Sequence, residues 1–256
     1  MSFPLHIFTL ALDAMPWLAA SFAELNRLTD IPWTWTIVEG AAMNVKDTRW
    51  MQAQPARLST DGTTEFIDAI AHHPRVRISR FEKWEGKVEM CNAALAGLSA
   101  GVLMQIDADE LWTADQLREI VHLFEDDPAL MHARFHCRYF LGPNIITTDN
   151  GNPNEWLRAW RFTPGMKFDT HEPPVLSGNK GKGLSRLETR GMGLVFDHYS
   201  WGLPKHVAMK EKLYGKRHAG ALEGWKKLQA NKEWPLADAG KFMPLAFRGA
   251  PCDKIF

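Results

Sequence analysis

The sequence predicts an α/β protein on a mixed, mainly parallel sheet flanked by helices, with a helical segment at the C-terminal end. Three observations carry this. Apolar runs of strand length alternate with amphipathic segments over the first 125 residues, and strand–helix repetition means a parallel sheet. The run VLMQI (102–106) is apolar enough to be buried on both faces. Beyond residue 130 the pattern turns to strict alternation, and beyond Pro204 to a long helical stretch.

The elements follow in order. LHIFTLAL (5–12) reads as a first strand, and Asp13 is expected to cap the helix of 14–28, with Pro16 tolerated in its first turn. WTWTIVEG (33–40) is a second strand, ending in Glu39 and Gly40. A helix over 63–73 stops at Pro74, and VRISRF (76–81) is a third strand. GKVEMCNAALAGLSAG (86–101) is helical, with Val88, Cys91, Leu95 and Leu98 on one face and Gly101 at its end. After the fourth strand, Thr113 and Gln116 have capping-box spacing before a helix over 113–124. MHARFHCRYF (131–140) alternates as one half-buried strand. NIITTDNGNPN (144–154) is a turn-rich loop, while EWLRAWRF (155–162) and GLVFDHYSW (193–201) are further strands. Residues 204–229 form the long helical stretch, with glycines at 215, 220 and 224.

Composition is that of an ordinary globular protein, 45% apolar and 23% charged with a formal net charge of zero. That balance favours neither nucleic acid nor a membrane surface. From Trp201 to Phe256 there are 11 Lys/Arg against 5 Asp/Glu, a net of +6, so the first 200 residues carry −6. The basic segment suits an anion or a solvated helix face equally. Cys91, Cys137 and Cys252 have no metal-ligand spacing and read as two core thiols and one tail thiol in a reducing compartment. No run reaches the roughly 18 apolar residues of a membrane span. The first Lys or Arg is Arg27, which argues against a signal peptide. A cytoplasmic protein is expected.

The chemistry gathers at Asp107-Ala108-Asp109-Glu110, where the fourth strand leaves the core. Open α/β sheets bind ligands at the carboxyl ends of their strands. Two carboxylates held this close repel, and one takes up a proton unless a cation lies between them. A hard divalent ion, Mg²⁺ or Mn²⁺, resolves that conflict and also accepts phosphate oxygens. The competing explanation is an acidic turn that caps the next helix.

This D-x-D behind LMQI resembles the motif of GT-A-fold glycosyltransferases, most closely the inverting family 2. HIFTLALDAMPWL resembles that family's first strand and turn, and TIVEG its second strand. WEGKVEMCNAAL resembles the K-x-x-x-x-N-x-x-L segment before the D-x-D strand, and RAWRFTPGMKFDTHEPPVL the aromatic-Arg strand followed by His-Glu. The similarity spans residues 5 to 200. It departs in having Ala11-Leu12-Asp13 after the first strand's threonine, and in lacking a Glu-Asp pair at the usual base position.

The resemblance implies a GT-A-like (Rossmann-like) fold in a single domain over 1–256. Residues 1–112 would be the nucleotide-sugar half, 113–200 the acceptor half and 201–256 a helical C-terminal segment. It implies a metal-dependent enzyme that moves a sugar from a nucleotide-diphosphate sugar to a hydroxyl of a glycan, lipid-linked or other acceptor. Thr9, Ala11, Glu39, Lys87, Asn92, Asp107, Ala108 and Asp109 would contact the donor. Asp109 would bind the metal, with Asp107 on ribose or a metal-bound water. His198 is the first choice for a later metal ligand, and His171 the competitor. Glu172 is the expected base, with Asp169 behind it. Glu110, Trp112, Trp156, Trp160 and Trp201 would form the acceptor side, since sugar faces stack on aromatic rings, although most tryptophans belong in a core. Two other classes stand beside this: a haloacid-dehalogenase-type phosphatase, whose D-x-D follows its first strand, and a non-catalytic sugar-binding protein.

Overall fold

The structure, a computed structural model, describes residues 3–43, 54–147, 157–230 and 249–251. Within them the strands are β1 Leu5–Ala11, β2 Trp33–Ala42, β3 Val76–Trp84, β4 Gly101–Gln105, β5 Glu110–Leu111, β6 Leu130–Arg134, β7 His136–Tyr139, β8 Ile145–Thr147, β9 Leu157–Phe162, β10 Phe168–His171, β11 Pro174–Leu176, β12 Lys182–Leu184, β13 Val195–His198 and β14 Gly249–Pro251. The α-helices are α1 Trp17–Arg27, α2 Thr63–Ile70, α3 Lys87–Ala94, α4 Ala114–Asp126, α5 Arg186–Gly191, α6 Pro204–Tyr214 and α7 Ala221–Ala230.

The described residues form two compact units, one of 3–43, 54–136 and 157–196, the other of 137–147, 197–230 and 249–251. The first unit holds a seven-stranded sheet in the order β12-β6-β9-β4-β1-β2-β3. The four strands expected from the repeating half, β1 to β4, are mutually parallel, with β1 at their centre. β9 enters antiparallel between β4 and β6, which makes the sheet mixed. All five residues of β4 are buried, as its apolar run requires.

Alternation sends successive side chains of the central strands to opposite faces. On one face Phe8, Val38, Leu103 and Trp160 pack with Met90, Cys91 and Ala94 of α3 and with Phe168 and Leu176 of the β10–β11 hairpin. On the other, Trp35 stacks on Phe22 of α1, which also meets Phe66 of α2 edge-on. α4 starts with the expected capping box, Thr113 and Gln116. Gly40 has φ 133°, and a Cβ there would lie 1.8 Å from the Phe81 carbonyl oxygen. Only glycine therefore passes this irregular step in the β2–β3 register.

Four expectations are corrected. Asp13 does not cap α1: it adopts φ 53°, and its carboxylate accepts from Thr60 N at 2.8 Å and Arg57 Nη2 at 2.5 Å. Pro16 stands at the cap position instead, without a side-chain bond. The helix expected over 86–101 closes at Ala94, and the chain turns through Gly97 (φ 67°). The alternating run 131–140 is two strands broken at Phe135, which is fully buried and edge-on to Trp112. The long C-terminal helix is α6, a 3₁₀ turn and α7, interrupted where Gly215 and Gly220 adopt φ 56° and 82°.

In the second unit, Leu141, Ile145, Trp201, Val207, Ala221, Trp225 and Leu228 form a core of their own. Trp225 Nε1 donates to the Trp201 carbonyl at 2.7 Å, and β8 pairs antiparallel with β14. Among the described residues no helix is long and apolar enough to cross a membrane.

Trp160 is 1% exposed and joins β9 to the α3-side core. Trp160→Ala is expected to destabilise the protein by about 3–5 kcal/mol, the usual cost of an aromatic cavity. Urea unfolding monitored by circular dichroism measures it.

Candidate active site

β4 leaves the core at Ile106 and the chain turns at once. Glu110 N donates to the Asp107 carbonyl at 2.9 Å, leaving Ala108 and Asp109 as the central residues of a tight turn. The Asp107 N–H donates back to Glu110 Oε2 at 3.3 Å. Because β9 runs antiparallel to β4, with Ala159 opposite Met104, it brings Arg158 to the end where β4 finishes. Arg158 Nε donates to both Glu110 oxygens at 2.9 and 3.0 Å. Its Nη2 reaches Glu110 Oε1 at 2.6 Å and Asp107 Oδ2 at 2.8 Å. Gln105 Nε2 donates to Asp107 Oδ1 at 2.8 Å.

Glu110 is 0% exposed and Arg158 4%. A carboxylate in that position survives only with a hydrogen-bonded counter-charge, and removing one partner of such a pair costs about 3–5 kcal/mol. At Asp107 burial favours the protonated acid. The Arg158 charge and the Gln105 bond outweigh both that and the repulsion from Asp109, and hold the carboxyl below its usual range. Asp107 therefore stays ionised beside Asp109.

His171, the last residue of β10, belongs to the same electrostatic group. Burial pushes its imidazole down to about 3, with help from Lys87 and Arg158 and against the pull of Asp107. It is neutral at physiological pH, the form in which histidine ligates or accepts a proton. Its Nδ1 lies 3.8 Å from Cys91 Sγ. The structure thus brings Asp107, Asp109, Lys87 and His171 together. Glu172 and Asp169 are exposed on the same β10–β11 hairpin.

Asn92 has both ends of its amide engaged: Nδ2 donates to the Phe168 carbonyl at 3.0 Å and Oδ1 accepts from Phe168 N at 2.7 Å. It pins the hairpin to α3. Glu39 is wholly buried and accepts from Arg80 Nε at 2.6 Å and Thr64 Oγ1 at 2.5 Å. It anchors the 59–64 segment rather than lying open to a ligand. Thr9 is also interior, its hydroxyl accepting from Trp35 Nε1 at 3.0 Å, and Ala11 is buried beside Glu39 in the β1–β2 register. Ala108 is half-buried in the acidic turn.

The residues expected on the acceptor side lie as follows. Glu110 is locked on Arg158. Trp112 stacks on Phe196 with centroids 4.6 Å apart, and Trp160 is edge-on to Phe168. Trp201 is 3% exposed in the second unit and donates to the Tyr139 hydroxyl at 2.9 Å. All three indoles are buried, the common use of so large an apolar ring. Trp156 lies outside the described residues. His198 belongs to the second unit, where its ring meets Tyr139 at 5.0 Å. Cys91 and Cys137 are buried thiols, as expected, and Cys252 lies outside the described residues.

Residues 58–180 match the family model described as glycosyl transferase family 2. Over those residues the chain is similar to family 2 glycosyltransferases. The match contains the acidic turn, Lys87, Asn92, Arg158, His171 and Glu172. Among solved structures, the mannosyltransferase PcManGT from Pyrobaculum calidifontis, in complex with GDP-Man and Mn²⁺, superposes with a TM-score of 0.53 at 15% identity, over 92% of this chain and 67% of that one. The shared fold is GT-A, a mainly parallel sheet between helices. S. aureus TarS 1-349 gives a TM-score of 0.42 at 11% identity over 63% of this chain, which spans 47% of that structure's length. No curated protein matches.

Arg158 is the residue of this acidic cluster that the D-x-D pattern did not single out. A signal was present, because Arg158 stands between Leu157 and Ala159 in a strand whose other residues are apolar except Arg161. A charge there needs a partner, which for Arg161 is the Leu130 and Asp127 carbonyls and for Arg158 the carboxylates of Glu110 and Asp107.

Asn92→Ala removes two hydrogen bonds, and a loss of about 1–3 kcal/mol in stability is expected. Amide exchange should quicken across 168–176, the hairpin that Asn92 holds, while protection in β1 and β4 is kept.

Proposed function

We propose that the protein transfers a sugar, with inversion, from a nucleotide-diphosphate sugar to a hydroxyl of a glycan, lipid-linked or other acceptor, and that it needs Mn²⁺ or Mg²⁺ to do so. The observation that carries this is the acidic turn at the carboxyl end of β4, held by Arg158 within the stretch that is similar to family 2 glycosyltransferases. The fold it shares with PcManGT, a structure that contains GDP-Man and Mn²⁺, supports the same donor class and ion.

The residues suit a hard divalent ion. Among the described residues no three His, Cys, Asp or Glu side chains converge as a ready-made metal cage. Mg²⁺ and Mn²⁺ are satisfied by one or two carboxylates together with water and substrate phosphates, whereas a structural zinc site is closed. Asp109 would supply a carboxylate directly, and Asp107 would act through ribose or a metal-bound water. When bound, the ion stabilises the negative charge that grows on the departing diphosphate.

The chain's own residues divide the remaining work. Lys87, at the first position of α3, offers a cation to the diphosphate. Neutral His171 offers a hydrogen-bonding nitrogen beside Asp107. Glu172, exposed at the hairpin tip, is the base that takes the acceptor proton, with Asp169 on the same hairpin as the second choice. The acceptor is met by this hairpin surface, since the described tryptophans are interior. The phosphatase alternative is not supported, because the acidic pair follows the fourth strand rather than the first. A non-catalytic sugar binder is separated from an enzyme by assay.

The test is hydrolysis of a panel of UDP- and GDP-sugars with Mn²⁺ in the absence of acceptor. The protein should release sugar from at least one donor, and EDTA should stop it. Asp109→Ala is expected to abolish turnover while changing folding stability by no more than about 0.5 kcal/mol, as for an ordinary surface site. Full activity in that variant removes the basis of the proposal.

Glu172→Gln should leave nucleotide and Mn²⁺ affinity intact and lower kcat by about 10²–10⁴, the usual contribution of a general base. If kcat is unchanged in Glu172→Gln but falls in Asp169→Asn, the base is Asp169.

A further inference from the structure

We infer that Arg158 is the positioning residue of the acidic turn: by bridging Glu110 and Asp107 it keeps Asp107 off the metal and presents Asp109 as the direct ligand. The inference rests on the glycosyltransferase reading and deepens it.

Stability alone does not account for the arrangement. A buried ion pair gains little over apolar side chains of the same volume, because desolvating both charges offsets their attraction. What the arrangement does supply is geometry. The turn is closed on one side by Glu110 N on the Asp107 carbonyl at 2.9 Å, and on the other by Asp107 N on Glu110 Oε2 at 3.3 Å. The guanidinium spans both carboxylates at 2.6 and 2.8 Å. With residues 107 and 110 both fixed, the backbone of residues 108 and 109 between them is fixed as well. Both Asp107 oxygens accept from donors of this chain, Gln105 at 2.8 Å and Arg158 at 2.8 Å. An ion that took Asp107 directly would have to compete with a buried cation for the same oxygen.

A lysine keeps the charge but lacks the planar fork needed to hold two carboxylates at once. Partners that orient a metal ligand from behind are commonly worth 10–100-fold in metal affinity.

Two variants conserve the net charge of the cluster and so isolate geometry from electrostatics: Arg158→Lys, and the double variant Arg158→Gln with Glu110→Gln. Mn²⁺ affinity is measured by electron paramagnetic resonance in the presence of UDP or GDP, on protein shown to be folded by circular dichroism. Asp109→Asn serves as the reference that removes the ligand. Wild type should bind Mn²⁺ with the nucleotide, Asp109→Asn should lose it, and both charge-conserving variants should bind about 10–100-fold more weakly. If they melt at lower temperature yet bind Mn²⁺ as wild type does, Arg158 is a structural lock only and the inference is overturned. If Asp107→Asn loses Mn²⁺ while Asp109→Asn retains it, the division between the two aspartates is wrong. Absence of Mn²⁺ binding by wild type with either nucleotide overturns the glycosyltransferase proposal as well.

Discussion

The site depends on one buried cation. Arg158 sits where β4 ends, and two carboxylates are folded onto it. Without that charge Glu110 has no place in the interior, and without Glu110 the turn after β4 loses one of its two rails. The position follows from topology. An antiparallel β9 begins where the parallel β4 stops, so its first residues stand at the carboxyl edge of the sheet, where such folds place ligands.

The hairpin after β9 is held by the same economy of means. Asn92 ties Phe168 to α3, and Phe168 with Leu176 joins the α3-side core. His171 is thereby brought into the electrostatic neighbourhood of Asp107 and Lys87, and its neutrality comes from burial among cations. On the other side of the sheet's edge, Glu39 does for the 59–64 segment what Glu110 does for the acidic turn. It is a buried carboxylate that collects a guanidinium and a hydroxyl.

Much of this was legible in the sequence. The four parallel strands declared themselves through their spacing, and β4 through an apolar run that no half-exposed strand carries. The capping box at Thr113 needed only local chemistry. The acidic turn was visible because three carboxylates after a buried strand demand an explanation. What stayed hidden was long-range. Nothing local distinguishes a tryptophan that stacks on Phe196 from one that waits for a sugar. Glu110 looked like a third surface acid because its partner lies 48 residues away. Asp13 looked like a cap because a cap is the commonest use of aspartate before a helix, whereas here Arg57 and Thr60 claim it from a different segment. The alternation of 131–140 was read correctly as strand, but periodicity cannot show that a strand stops at Phe135 and resumes.

The place of β9 in the sheet also bears on how the chain emerges during synthesis. β1 to β4 are complete once residue 105 has been made, yet the strand that covers the open flank of β4 starts only at Leu157. Until then the nascent sheet exposes an apolar edge of unpaired amides and carbonyls, the kind of surface on which chains associate wrongly. The acidic turn lies next to that flank and keeps negative charge beside it throughout the interval. A charge at a bare edge is a recognised deterrent to edge-to-edge pairing.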